Sequence, residues 1–382
     1  MAMIFTLDDL APHARAEGGA LRVSESFTLS CITPQSEKMM LFCAETRCEG
    51  ESAKIFFRLM QPGREKPLYQ SHTYTLGGES RIGVPPVLWS GITLEICVQI
   101  PAKSTLFVKE FALSHVENIP KTERTLRYNA HLGFLGMAPE NTMISFRLAA
   151  LCGFGVCICV PKVTRDGVLV CTHDETINHA ARYEDGRELE RDIYVGDLTY
   201  KELLAYDFGI RKGQIFAGTR IARLEDFLAL CAETGMRPMF STHPALPRDK
   251  WLEVKEMLTR YGLLTQFHVK AKDTDTLRGA FEVLGEEIDG YTLDVQRLEQ
   301  DSIPRLLATG VDPTRSRVGI EVRVKNLKDT DAARIRAAGM FAAAWDIPRS
   351  DFHDLYDRLI ALGITEFTED HHLPCTSLCP VE

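Results

Sequence analysis

The chain has 382 residues, 45% of them hydrophobic and 25% charged, and carries a net charge of -9. That length holds more than one core, and the acidic balance excludes a general binder of nucleic-acid backbone, which needs clustered Lys and Arg. No run reaches the ~18 apolar residues of a membrane helix, residues 1–10 lack the basic start and apolar core of a leader, and eleven scattered cysteines fit reduced thiols, so a cytoplasmic protein is expected.

Residues 1 to about 120 read as short strands of alternating or β-branched character, at 26–32, 39–43, 53–59, 68–76, 92–98 and 106–113. Turn residues separate them: Gln61-Pro62-Gly63, Gly77-Gly78 and Ser90-Gly91. This is the pattern of an all-β sandwich, jelly-roll-like in its expected arrangement. Trp89, Tyr69 and Tyr74 are candidates for an aromatic sugar platform or for core packing. The polar, Pro-marked run from Ile119 to Arg124 is the expected junction with a second domain over 125–382.

Beyond it, strands and helices alternate. Ile144, Leu148 and Leu151 share a helical face, with Asn141 as the cap and Gly153 just past the end. Buried strands follow at 156–160 and 168–172. Strand and helix patterns then recur at 226–232, 236–241, 250–261, 267–271, 291–295, 320–324, 332–338, 340–345 and 354–362. Such a succession gives an α/β class with a parallel sheet.

Three motifs stand out: His131-Leu132-Gly133 with Ala138-Pro139-Glu140-Asn141-Thr142, Thr164-Arg165-Asp166-Gly167, and His173-Asp174. Together they resemble the glycerophosphodiester phosphodiesterase family, where the run reads His-Arg-Gly, Ala-Pro-Glu-Asn-Thr, Glu-x-Asp, Thr-Lys-Asp-Gly and His-Asp. The resemblance covers about residues 125 to 382, with further landmarks at 216–228, 339–345 and 363–370. It implies a (β/α)8 TIM-type barrel with its site at the carboxyl ends of the strands. It also implies that His131, ending the first strand, and His173, ending the third, are the acid/base pair; imidazoles titrating near pH ~6.5 suit both roles.

The same alignment puts Ile158, Val160 and Thr242, with Pro244 beyond it, where the family keeps the acidic ligands of Mg²⁺ or Ca²⁺. Leu132 stands for the Arg beside the first His. Oxygen ligands for such a cation are absent from those positions, and no metal cofactor is expected. Alternation puts Lys162 on the face of 158 and 160. Its ammonium either replaces the cation's charge, as a basic residue does in the related bacterial phosphatidylinositol-specific phospholipases C, or reaches to solvent. Asp174 either orients His173 or caps its loop. Lys270 or Lys272, at the end of the fifth strand, and Arg323, alternating with Glu321 and Lys325 on the seventh, are candidate phosphate contacts if they point inward. Trp345 is expected to bound the pocket floor.

Cys157, Cys159 and Cys171 read as small buried hydrophobes. His371, His372, Cys375 and Cys379 form either a zinc site or a loose tail. Three functional readings follow. One is a metal-free phosphodiesterase acting on a small phosphodiester through His131 and His173; another is an inactive barrel that binds a phosphorylated or polyol ligand. In the third, a scaffold binds carbohydrate or protein through its N-terminal sandwich.

Overall fold

A computed structural model describes residues 3–117, 126–349, 352–374 and 377–378. The expected junction at Ile119 to Arg124, and Cys375 and Cys379, lie outside the described residues. The N-terminal part is built from two antiparallel sheets. One runs in the order Arg15–Glu17, Ala20–Val23, Thr105–His115, Met40–Glu49, Gly78–Val84 and Ser377–Leu378, with Met3–Phe5 also on Thr105–His115. The other runs Phe27–Ile32, Thr93–Gln99, Lys54–Met60 and Tyr69–Gln70, with Tyr74–Thr75 also on Lys54–Met60. Period-two burial explains their stacking. Met40, Phe42 and Ala44 turn inward from one sheet, and Ile55, Phe57 and Leu59 from the other. Phe42 meets Phe57 edge-on between the sheets, with ring centroids 5.4 Å apart.

The second part is a closed parallel barrel of eight strands. They are β1 Arg127–Ala130, β2 Val156–Cys159, β3 Arg237–Thr242, β4 His268–Ala271, β5 Gly290–Val295, β6 Arg317–Arg323, β7 Phe341–Trp345 and β8 Glu366–Glu369. Closure comes from β1 pairing with both β2 and β8. The first helix, α1, is Met143–Leu151. Its cap is Thr142, whose side chain accepts from the Ser145 amide. Asn141, expected as the cap, instead has φ +52 and accepts the Val160 amide proton on its side chain.

A second expectation also shifts. Leu169–Cys171 reads as a barrel strand but pairs antiparallel with Pro161–Val163 and Ala222–Arg223 in a small separate sheet. Residues 160–223 are thus an excursion between β2 and β3, packed around Val170, Ile177, Val195, Leu203 and Phe208. His173 therefore follows a hairpin rather than the third barrel strand. Lys270 lies on the fourth strand and Arg323 on the sixth.

The sandwich packs against the carboxyl-end segments of the barrel. Tyr69 donates its hydroxyl to the His371 carbonyl at 2.7 Å, and Trp89 packs edge-on against Phe216 at 4.8 Å. Tyr69 and Tyr74 are buried. The aromatics proposed as a sugar platform are core and interface groups. Nor are His371 and His372 a loose tail: His372 is fully buried and packs on Tyr128 and Tyr356.

Candidate active site

Two local motifs shape the mouth of the barrel. The loop after β1 is fixed by the Ser145 hydroxyl donating to the Leu132 carbonyl at 3.1 Å and by the Gly133 amide bonding the Ile158 carbonyl at 3.3 Å. Gly133 has φ +81, and a Cβ there would stand 2.2 Å from the Ser145 Oγ, so only glycine fits. In the excursion, Thr164 accepts the Val168 amide and donates to Asp166, with Gly167 at φ +82 closing the turn. This hairpin delivers His173 to the mouth.

His131 sits just past β1, its Nδ1 3.0 Å from Asp370 Oδ1. Asp370 follows β8 directly, so barrel closure creates this pair. Burial works to raise the Asp370 carboxyl, but His131, His371 and Lys212 outweigh it and hold it below the usual carboxylate range. His173 Nδ1 lies 2.7 Å from Asp174 Oδ1, which gives Asp174 an orienting contact. Each imidazole is held at Nδ1 by a carboxylate and keeps Nε2 for other work.

His173, Asp174, Lys162, Glu175, Ser241 and Lys272 line one cavity of about 290 Å³. Lys162 does not reach out to solvent: it is buried and donates to the His243 carbonyl. Burial lowers its pKa, against the carboxylates of Glu175 and Asp174 and with help from Lys272. The side chain of Thr242, aligned with a family ligand, is turned to the Lys270 carbonyl, whereas Ser241 and His243 face the cavity.

Deeper in the barrel, Lys270 is buried and paired with Glu321 at 2.7 Å. Burial alone would depress its pKa, yet Glu321, Asp294 and Asp370 raise it. Burial drives Asp294 up to about 6 against the pull of Lys270, and Glu321 adds to the rise. Arg323 is bound to Asp346 at 2.5 Å and lies over Trp345 at 5.2 Å. Both inward candidates, Lys270 and Arg323, are therefore already neutralised by carboxylates. Trp345 is partly exposed at the end of β7 and sits at the rim rather than the floor.

At the positions where the resemblance would put metal ligands, Ile158 and Val160 are buried with Leu132, Val156 and Met239 in one apolar cluster. Hydrocarbon offers no donor to a hard cation, and among the described residues no three His, Cys, Asp or Glu are grouped to hold one. These residues do not fit the group. Cys157 and Cys159 are fully buried, and burial pushes both thiols up, as inert packing groups require. Asp370 and Asp294 were missed in the sequence. An acid directly after the last strand and another on the fifth were the available signals, since both positions point to the mouth only once the barrel is closed.

The family model of the glycerophosphoryl diester phosphodiesterase family matches residues 131–347. The chain belongs to that family. Among relatives, a glycerophosphodiester phosphodiesterase of Caldanaerobacter subterraneus subsp. tengcongensis is 34% identical over 104 residues, 27% of this chain and 40% of its own. A glycerophosphodiester phosphodiesterase of Bacillus altitudinis is 24% identical over 215 residues, 54% of this chain and 83% of its own. The matched part thus spans well under two thirds of the first relative. Among solved structures, an Oleispira antarctica phosphodiesterase in complex with the product sn-glycerol-3-phosphate superposes with a TM-score of 0.56 at 20% identity, over 65% of this chain and 94% of that one. A glycerophosphodiester phosphodiesterase from Agrobacterium tumefaciens gives 0.50 at 16% identity, over 65% and 97%. These likenesses show a shared barrel fold.

Proposed function

We propose that the protein is a phosphodiesterase of small glycerophosphodiesters that works by two-histidine acid/base chemistry without a metal. The observation that carries the reading is the pair of carboxylate-held imidazoles, His131 with Asp370 and His173 with Asp174. In this mechanism one Nε2 takes the proton of the attacking hydroxyl as the new P–O bond forms. The other Nε2 gives a proton to the departing alcohol oxygen as the old P–O bond breaks. The ammonium groups of Lys162 and Lys272 supply positive charge beside the phosphoryl oxygens. An adjoining space of about 500 Å³ walled by Val163, Tyr194, Val195 and Leu246 offers an apolar berth for one alcohol arm.

The apolar cluster of Ile158 and Val160 favours a second reading, a barrel that binds a phosphorylated ligand without turning it over. Phosphorus NMR with a panel of glycerophosphodiesters and inositol phosphodiesters, with and without chelator, separates the two. Chelator-resistant turnover that falls at least ~100-fold in His131→Ala is expected. Turnover abolished by chelator would refute the metal-free mechanism, and no turnover of any diester would leave the binding protein.

A further inference from the structure

A further cavity, of about 510 Å³, lies between the sandwich and the barrel. Its walls carry five basic side chains: Arg64 and Lys66 from the sandwich, Arg211 and Lys212 from the excursion, and Arg349 from the segment after β7. The chain as a whole has a net charge of -9, so this is a segregated positive site on an acidic protein. Several surface arginines elsewhere are paired, as Arg147 is with Glu37 and Arg165 with Glu202. None of these five has a carboxylate within ion-pair distance among the described residues. The one carboxylate on the wall, Asp370, is engaged by His131.

The cluster is also built rather than loose. Arg64 Nη1 donates to the Lys212 carbonyl at 2.7 Å, and Lys212 Nζ donates to the Leu135 carbonyl at 2.7 Å. Leu135 and Gly136 belong to the loop that starts at His131, so a chain of contacts fixes the cations relative to the catalytic histidine. Burial lowers the Lys212 pKa to about 8, with Asp370 and Glu140 pulling against it and Arg64 and Arg211 reinforcing it. An anion among these groups relieves their mutual repulsion. Gly136 lets this loop pack close against the residues after β8, since a Cβ there would meet the Asp370 carbonyl oxygen and stand 2.8 Å from His371 Nδ1.

We propose that the cleft is a second anion subsite, which binds a phosphate monoester group carried on one arm of the diester substrate. The inference rests on the phosphodiesterase reading for its substrate but not for its binding site. Preformed cations cost little ordering on binding, and the selectivity weakens with ionic strength as charges beyond ~8 Å are screened in physiological salt.

The test uses the full chain in low salt. The carrier is His173→Ala with Lys272→Ala, which removes turnover and weakens the mouth while leaving the His131 to Asp370 pair on the cleft wall intact, and inorganic phosphate is the calorimetric probe. Phosphate binding is expected to persist in the carrier and to weaken at least tenfold when Arg64→Ala or Arg349→Ala is added. Arg349 is exposed, so its removal keeps the test valid should loss of the Arg64 contact disturb folding. Binding abolished in the carrier, or unchanged by Arg349→Ala, overturns the subsite whatever the turnover assay gives. In the wild type, a diester bearing an additional phosphate is expected to compete at least tenfold better than the same diester without it, and Arg349→Ala is expected to erase the difference. If free phosphate binds but the two diesters compete equally, the assignment of the subsite to the substrate is overturned. If the subsite binds and no diester is turned over, the cleft stands and the hydrolase reading alone falls.

Discussion

Asp294 shows how the site's charges are coupled to stability. Its carboxyl, raised to about 6 by burial, titrates near ~3.9 in an unfolded chain. The native state therefore holds a proton that the unfolded chain releases between pH ~4 and ~6, and stability falls as pH rises through that window. Asp294→Asn is expected to stabilise the protein at pH 8 by on the order of 1 kcal/mol, with the gain gone below pH ~4. Urea unfolding at the two pH values measures it; an equal effect at both, or a loss at pH 8, would contradict the charge balance drawn here. Ile158 and Val160 make the opposite point. Their apolar character was readable in the sequence. That they pack with Leu132 and Met239 was not, because it depends on neighbours brought in by β1 and β3.

At the scale of elements, the family motifs prove to be largely architectural. Asn141 holds the amide that follows β2, Thr142 caps α1, and Thr164 with Gly167 closes the excursion hairpin. These interactions run over few residues, so the motifs and the turns they make were legible. The hairpin strand Leu169–Cys171 misled because a short apolar run has the same look in any sheet; its partners, not its period, decide its place. The His131 to Asp370 contact was illegible for the related reason that it forms only when β8 closes on β1. The loop between them is tight, since a Cβ on Gly136 would come within 1.8 Å of the Asp370 carbonyl oxygen. Gly136→Ala is expected to destabilise the fold by about 1–3 kcal/mol through overpacking and to lower kcat at least tenfold by displacing Asp370 from His131. Gly155→Ala, where a Cβ meets nothing within 4 Å, is the control. Thermal melting and kinetics on the pair decide it, and matching behaviour would dismiss the steric argument.

The whole molecule is one connected core rather than two beads. The hydrophobic cluster runs unbroken from Phe42 and Phe57 in the sandwich to Phe367 in β8. At the contact, His72 of the sandwich lies 3.8 Å from Glu369, both without solvent access. Removing the sandwich would strip the cover from Glu369, His371 and His372 beside the catalytic mouth. Residues 126–382 alone are accordingly expected to be insoluble, or to melt at least about 10 °C below the full chain, given that one kcal/mol moves a midpoint by a few degrees in a domain of this size. A soluble barrel with an unchanged midpoint would show the interface to be dispensable.

The pairing of Ser377–Leu378 with Gly78–Val84 bears on biosynthesis. That flank of the first sheet emerges from the ribosome early, yet its neighbour is translated only after the entire barrel. Through that interval the flank carries open amides and carbonyls, which invite pairing with other nascent chains. The part of the molecule made first is thus the part completed last, and it is there that a chaperone would have most to protect.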